Sequence, residues 1–218
     1  MQRYMSRFLE HVLSPEGRRT LKVSGIIAAI IIAGALGSWA YVASVQKTAS
    51  KNFVHGQDLY LQAIGLEDID KQADSLQQAI GLFQSAIDQP LWNTNRPEAL
   101  LYLADAFYVL KQYQQAIATL LTFQDKYPHN QMIPWAKLKI AFSYELLTEY
   151  DSALAQYALI TTSYATSPVA PEALLGEARC EELTGDTEAA METYENLVSR
   201  YPLSNQAQLA QAKLGYHH

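Results

Sequence analysis

The sequence predicts an all-α protein: one membrane-spanning helix near the N-terminus, then an α-solenoid of about three and a half helix pairs closed by a capping helix. Three observations predict it. Residues 23–45, VSGIIAAIIIAGALGSWAYVASV, carry no charge over 23 positions. The stretch PEALLYLADAFYVL from Pro97 returns in outline as PWAKLKIAFSYELL from Pro134 and as PEALLGEARCEELT from Pro171, each step being 37 residues. Within each unit, apolar residues recur at three- and four-residue spacing, the period of a helix with one buried face.

Charge divides the chain unevenly. Up to Lys22, the bases Arg3, Arg7, Arg18, Arg19 and Lys22 stand against Glu10 and Glu16, a net of +3; beyond it 11 basic residues face 20 acidic ones, a net of −9. An acidic body of that size argues against nucleic acid as a partner, because phosphate backbones are bound by clustered Lys and Arg. Cys180 is the single cysteine, which excludes an internal disulfide framework and a cysteine-based metal site. It also lies too far along the chain to carry an N-terminal lipid anchor.

The leader, residues 1–22, begins MQRYMSRFLEHVL, with Tyr4, Met5, Phe8, Leu9 and Val12 at helical spacing beside Arg3 and Arg7. It reads as a short amphipathic helix, lying on the inner membrane surface or docked on a partner, and broken at Ser14-Pro15. The anchor, residues 23–45, reaches across a hydrocarbon core of about 30 Å at about 1.5 Å per residue. Trp39 and Tyr41 near its end suit the headgroup level, so this segment makes membrane lipid a partner. With the basic residues ahead of it, the N-terminus is expected in the cytoplasm and the remainder across the inner membrane, in the periplasm. A rival reading is a signal peptide cut after Ala40 in SWA, but the leader and the apolar run are both long for one. Gly25, Ala29, Ala33 and Gly37 repeat every four residues, a stripe that lets a second helix approach closely.

Residues 46–96 read as a linker followed by an atypical helix pair. Ala79, Phe83 and Ala86 match the second-helix columns, while the partner segment KNFVHGQDLYLQAIG lies about 11 residues too early, extended through LEDIDKQAD. Residues 97–205 hold the three regular units. Alanines fall in register at 99, 136 and 173, at 104, 141 and 178, and at 116, 153 and 190. Leu120, Tyr157 and Tyr194 share a column, and the units close on Tyr127, Tyr164 and Tyr201. Each unit therefore reads as two antiparallel helices packed closely at the alanines, with the large second-helix side chain filling the space between. KQY, TEY and TGD mark the turns, and Gly185 suits a C-cap. Glu177 and Glu181 replace apolar residues in the third first-helix and put its packing in question. In residues 206–218, NQAQLAQAKLGY supplies a capping helix with Ala210 in register, then a tail.

These units resemble tetratricopeptide repeats. Ala104 in the first helix, Ala116 and Leu120 in the second, and the closing Tyr127-Pro128 are positions of that family's signature. The resemblance covers roughly residues 50–216, with three residues more per unit than the usual 34. It implies a concave surface lined by first helices, a groove for extended peptides or partner helices. At the corresponding columns stand Glu98, Leu101, Asp105 and Tyr108, then Trp135, Leu138, Phe142 and Glu145, then Glu172, Leu175, Arg179 and Glu182. The family's chaperone-tail clamp needs Lys, Arg and Asn there, and this chain offers acids and aromatics instead. Trp135 and Phe142 have a second reading, as core between repeats. The layout also resembles the YfgM-like inner-membrane proteins associated with the Sec translocon, and the repeats resemble envelope-assembly and cell-division coordinators. That implies a membrane-anchored adaptor or chaperone for exported clients near the translocon, or else a permanent subunit of an envelope complex.

Nothing in the sequence indicates an enzyme. Histidines 11, 55, 129, 217 and 218 form no helical metal pair, and phosphate loops and nucleophile elbows are absent. Cys180 reads as a packing residue, and Glu181-Glu182 as a solvated face. No cofactor, metal or small-molecule substrate is expected.

Overall fold

The structure is a computed structural model that describes residues 14–89 and 94–216. The amphipathic helix expected in the leader falls outside the described residues. Among those described there are nine helices and no strand. By contacts the chain forms two compact units, one up to Thr48 and one from Ala49 onward.

Helix α1, Pro15–Ile64, runs 50 residues. From Lys22 it is long and apolar enough to cross a membrane, and its apolar window is wholly unburied. Ile26, Ile27, Ile30, Ile31 and Ile32 are all more than half exposed, the state of a surface suited to lipid. Within this stretch the Ser38 and Ser44 hydroxyls donate to the Ala35 and Tyr41 carbonyls at 2.9 and 2.8 Å, so neither is left unbonded in an apolar segment. The linker expected from residue 46 is helix instead. The physical reason is plain: between Val45 and Gly56 no proline or glycine interrupts the turn-to-turn bonding.

The second unit begins with the last turns of α1. Phe53 and Ala63 are buried against α2, Ile69–Ile87, in a cluster with Leu76, Ala79 and Phe83. Gly56 is needed here, because a Cβ would stand 2.9 Å from the Phe83 ring. Asp68 caps α2 by accepting from the Asp70 and Lys71 amides, both at 3.1 Å. The atypical pair is thus α1 with α2.

Three regular pairs follow: α3 Arg96–Val109 with α4 Tyr113–Lys126, α5 Ile133–Leu146 with α6 Tyr150–Ser163, and α7 Ala170–Thr184 with α8 Thr187–Arg200. Helix α9, Asn205–Tyr216, covers the last pair. Pro97, Pro134 and Pro171 each sit in a first turn, where no amide donor is required. Ala104, Ala141 and Ala178, and in the second helices Ala116 and Ala153, are fully buried, as close helix packing requires. Each pair turns through a left-handed residue, Lys111 (φ 59°), Thr148 (φ 60°) or Gly185 (φ 87°). The following amide in each case bonds back five residues, Gln112 to Phe107, Glu149 to Tyr144 and Asp186 to Glu181, at 2.8–2.9 Å. Before the next first helix a side chain caps the turn. Asn130 accepts from the Met132 amide at 2.9 Å, and Ser204 from the Ala207 amide at 3.1 Å. The added length of each repeat therefore forms ordered, bonded turns.

Between the second and third regular pairs the packing turns on one large residue. Tyr157 is fully buried, and its ring lies where a Cβ of Gly176 would be, so only glycine fits that column beside it. Cys180 is fully buried nearby, and burial pushes its thiol up to about 12, as expected of a packing residue.

Candidate protein-binding face

The first helices α3, α5, α7 and α9 lie in a row, joined step by step by side chains. Asp105 on α3 pairs with Lys139 on α5 at 3.0 Å. Glu145 on α5 takes both the Nε and, at 2.8 Å, the Nη2 of Arg179 on α7, a bidentate pair. Glu182 on α7 holds Lys213 on α9 at 2.7 Å, and Glu172 accepts from Gln206 at 2.8 Å. An acid on one first helix is thus met by a donor on the next.

Aromatic rings surround these pairs. The Lys139 ammonium stands 4.4 Å from the Tyr108 ring centroid and 5.2 Å from that of Trp135, within cation–π range. Tyr108 in turn meets Tyr113 edge-on, with centroids 5.5 Å apart. Phe142 meets Tyr157 edge-on at 6.2 Å, and the Tyr157 hydroxyl donates to Glu145 at 2.8 Å. Burial alone would raise the Glu145 carboxyl, but the Arg179 and Tyr157 hydrogen bonds outweigh it and hold it low. Asp105 has less help: burial raises its carboxyl although Lys139 opposes the shift.

The expected groove residues fall into three groups. Asp105, Tyr108 and Trp135 meet around Lys139, and Phe142, Glu145 and Arg179 meet around Tyr157. Leu101 and Leu138 lie beneath, packed on the core, Leu138 at 7% exposure. Glu98 stands apart, exposed on the first turn of α3. Trp135 and Phe142 are half-buried, each resting on a core cluster with part of its ring open. In the apolar part of α1, Gly25, Ala29, Ala33 and Gly37 are all exposed, and a Cβ on either glycine would meet nothing within 4 Å.

Sequence reasoning missed Lys139, Tyr157 and Lys213, which hold the row together. A signal was present. Asp105 to Lys139, Glu145 to Arg179 and Glu172 to Gln206 are each 34 residues apart, one helical turn short of the 37-residue step. The reading of Glu181-Glu182 as a solvated face is corrected: both are half-buried. Glu182 is engaged by Lys213, and burial raises the Glu181 carboxyl beside Thr193. Glu177 occupies the column of the buried Leu103 and Ile140, where burial and then the Glu181 charge push its carboxyl up to about 7. Among the described residues no His, Cys, Asp and Glu side chains gather as a metal site.

Comparison with known proteins identifies the repeat. The tetratricopeptide-repeat family model matches residues 98–130 and 172–204. Similar solved structures include YrrB, described as a TPR protein with an unusual peptide-binding site, at TM-score 0.50 and 17% identity over 65% of this chain and 72% of that one. A tetratricopeptide repeat protein from Parabacteroides merdae superposes at TM-score 0.55 and 18% identity, covering 73% of this chain and 59% of that one. PilW, described as a widely conserved type IV pilus biogenesis factor, does so at TM-score 0.52 and 17% identity, over 87% and 97%. No curated protein sequence matches the chain.

Proposed function

We propose that this tetratricopeptide-repeat protein is a membrane-anchored adaptor that holds partner proteins on the face made by its first helices. One observation carries the proposal: Tyr108, Trp135 and Phe142 present partly open rings along one row, and the ion pairs between repeats fix them in place. Fixed aromatic surface loses little rotamer entropy on binding and excludes water well, as binding hot spots do. YrrB's description includes peptide binding and PilW's pilus biogenesis; at 17% identity those likenesses speak for the fold, and the row itself carries the assignment.

The side of the membrane belongs to the same proposal. Five bases precede the apolar run, which favours a cytoplasmic N-terminus and a repeat domain in the periplasm, where exported clients, translocon subunits or envelope-complex subunits would be met. Protease added to spheroplasts then removes the repeats; a protected C-terminus would reverse the orientation. The domain acts by binding, without cofactor or catalysis.

Partner capture by the Trp135→Ala variant tests the face. Half-burial implies a modest fold cost, below the about 3–5 kcal/mol of a fully buried Trp, while capture falls by tenfold or more, about 1.4 kcal/mol or above. A folded variant that keeps its partners at full strength would remove this face from consideration.

A further inference from the structure

The row does not end as it begins. Between α7, α8 and α9 lies an open pocket of ≈ 290 Å³, walled mainly by Leu175, Tyr194, Leu209 and Ala212, with Arg179, Lys213 and Glu182 at its edge. One repeat earlier the columns of Arg179, Tyr194 and Ala212 hold large side chains, Phe142, Tyr157 and Leu175, and Phe142 meets Tyr157 edge-on. Two repeats earlier Trp135 and Leu138 stand in the columns of Leu209 and Ala212. At the last step, Arg179 replaces the phenylalanine and its guanidinium is drawn to Glu145, while Ala212 takes the column of Leu101, Leu138 and Leu175. At this step the column leaves only the methyl of Ala212 on the wall of the slot. Its volume is at the bottom of the roughly 300–1,000 Å³ range of small-molecule sites, a size suited to one side chain.

The rim has a definite polarity. Glu145 already accepts from Arg179 and Tyr157, and both oxygens of Glu182 accept from Lys213 at 3.1 and 2.7 Å. Both acids are thus engaged by the protein's own donors. Lys213 and Arg179, by contrast, retain donors beyond those bonds, since an ammonium has three and a guanidinium five. They are also the more open partners: Lys213 is 49% exposed against 23% for Glu182, and Arg179 38% against 15% for Glu145. An incoming group meets cations and donors first. The acidic body opposes this only at long range, which salt screens beyond about 8 Å.

We propose that this slot receives one leucine- or phenylalanine-sized side chain from an extended segment of a partner protein, with an adjacent carboxylate held by Lys213 and Arg179. The proposal rests on the reading of the first-helix row as a binding face and names the partner chemistry at its end.

The test uses the full chain in nanodiscs and fluorescein-labelled peptides with the cores Glu-Leu-Glu, Gln-Leu-Gln, Lys-Leu-Lys and Glu-Ala-Glu, read by anisotropy. The Glu-Leu-Glu peptide is expected to bind tightest, with a loss of about fivefold or more for each replacement. Ala212→Leu places on the wall of the slot the residue that the other repeats carry in this column, so it abolishes this binding while the melting temperature holds. Lys213→Gln removes the preference for Glu over Gln and keeps that for Leu over Ala. Equal binding of the Glu and Lys peptides, undiminished binding to a folded Ala212→Leu variant, or no binding at millimolar peptide overturns the proposal. So does a concentration-dependent mass abolished by Ala212→Leu, which would seat a second copy of this chain in the slot. If Ala212→Leu has no effect while Trp135→Ala releases partners, the slot fails and the adaptor stands; if both folded variants keep their partners, the adaptor reading fails as well.

Discussion

Replacing Glu177 by glutamine should stabilise the repeat domain at neutral pH and leave it unchanged in acid. Glu177 stands in the column of Leu103 and Ile140, half-buried, with the Thr161 hydroxyl at 3.5 Å too long to compensate its charge. Burial first, then the neighbouring Glu181 charge, moves its carboxyl from an ordinary 4.5 up to about 7, against the weaker pull of Thr161 and Arg200. With the folded value raised, the folded state holds a proton between those limits that the unfolded state has released. Stability therefore falls as pH rises through 4.5 to about 7, and the penalty is complete above it. At about 1.4 kcal/mol per pKa unit the displacement is worth at most about 3 kcal/mol, and partial exposure reduces this to about 1–2 kcal/mol. Denaturation of the 49–218 fragment, with and without Glu177→Gln, measures it at pH 4 and pH 8. The variant should match the parent at pH 4 and exceed it by about 1–2 kcal/mol at pH 8, a rise of roughly 2–8 °C in Tm. Asp105 titrates in both proteins and cancels from the difference, which then reports Glu177 together with its charge coupling to Glu181. A difference that does not vary with pH would refute the burial argument, and a variant weaker at pH 8 would show that the ionised carboxylate is stabilising.

Two further substitutions probe the packing. Gly176→Ala forces the Tyr157 ring aside and should cost about 1–3 kcal/mol, loosening Arg179 as the Tyr157–Glu145 hydrogen bond is lost; an undiminished denaturation midpoint would mean the ring yields freely. Thr148→Gly relieves a β-branched residue at φ 60°, a strain of about 1–2 kcal/mol offset by about 0.5–1 kcal/mol of added unfolded-state entropy. Its midpoint should rise slightly, and a fall would show that the turn is comfortable as it stands.

How much was legible in the sequence depended on whether a signal was periodic. The alanine columns and the prolines repeat at 37 residues, so the helix pairs and their close packing could be read directly. The continuity of α1 had only a negative signal, the absence of proline and glycine from residues 46–55, and reading by period passed over it. The contacts between first helices were half legible. Columns located Tyr108, Trp135 and Phe142, but side chains on adjacent repeats meet one turn out of register, which hid Lys139 and Lys213. Glu177 shows the reverse case. It breaks the apolar column visibly, yet only the fold shows that the site remains half-buried, with the charge left to bear the cost.

The ion pairs change what charge means for this surface. Counted from the sequence, Asp105, Glu145 and Glu182 make the row acidic and favour basic partners. In the fold each is matched by Lys139, Arg179 or Lys213 on the next first helix. These pairs fix the offset between neighbouring first helices and so the spacing of the rings between them. On the proposed binding reading, a row neutralised in pairs would select by where each pair leaves its cation exposed more than by net charge. That exposure increases along the row: the basic partner is 22% exposed at Lys139, 38% at Arg179 and 49% at Lys213. A partner laid along the first helices would therefore meet rings and the more buried pairs at α3 and α5, and an open slot beside the most exposed cation at α9. On the proposed reading, such a gradient would give a bound segment a preferred direction, with its apolar stretch over Trp135 and Phe142 and its acidic, leucine-bearing end at Ala212.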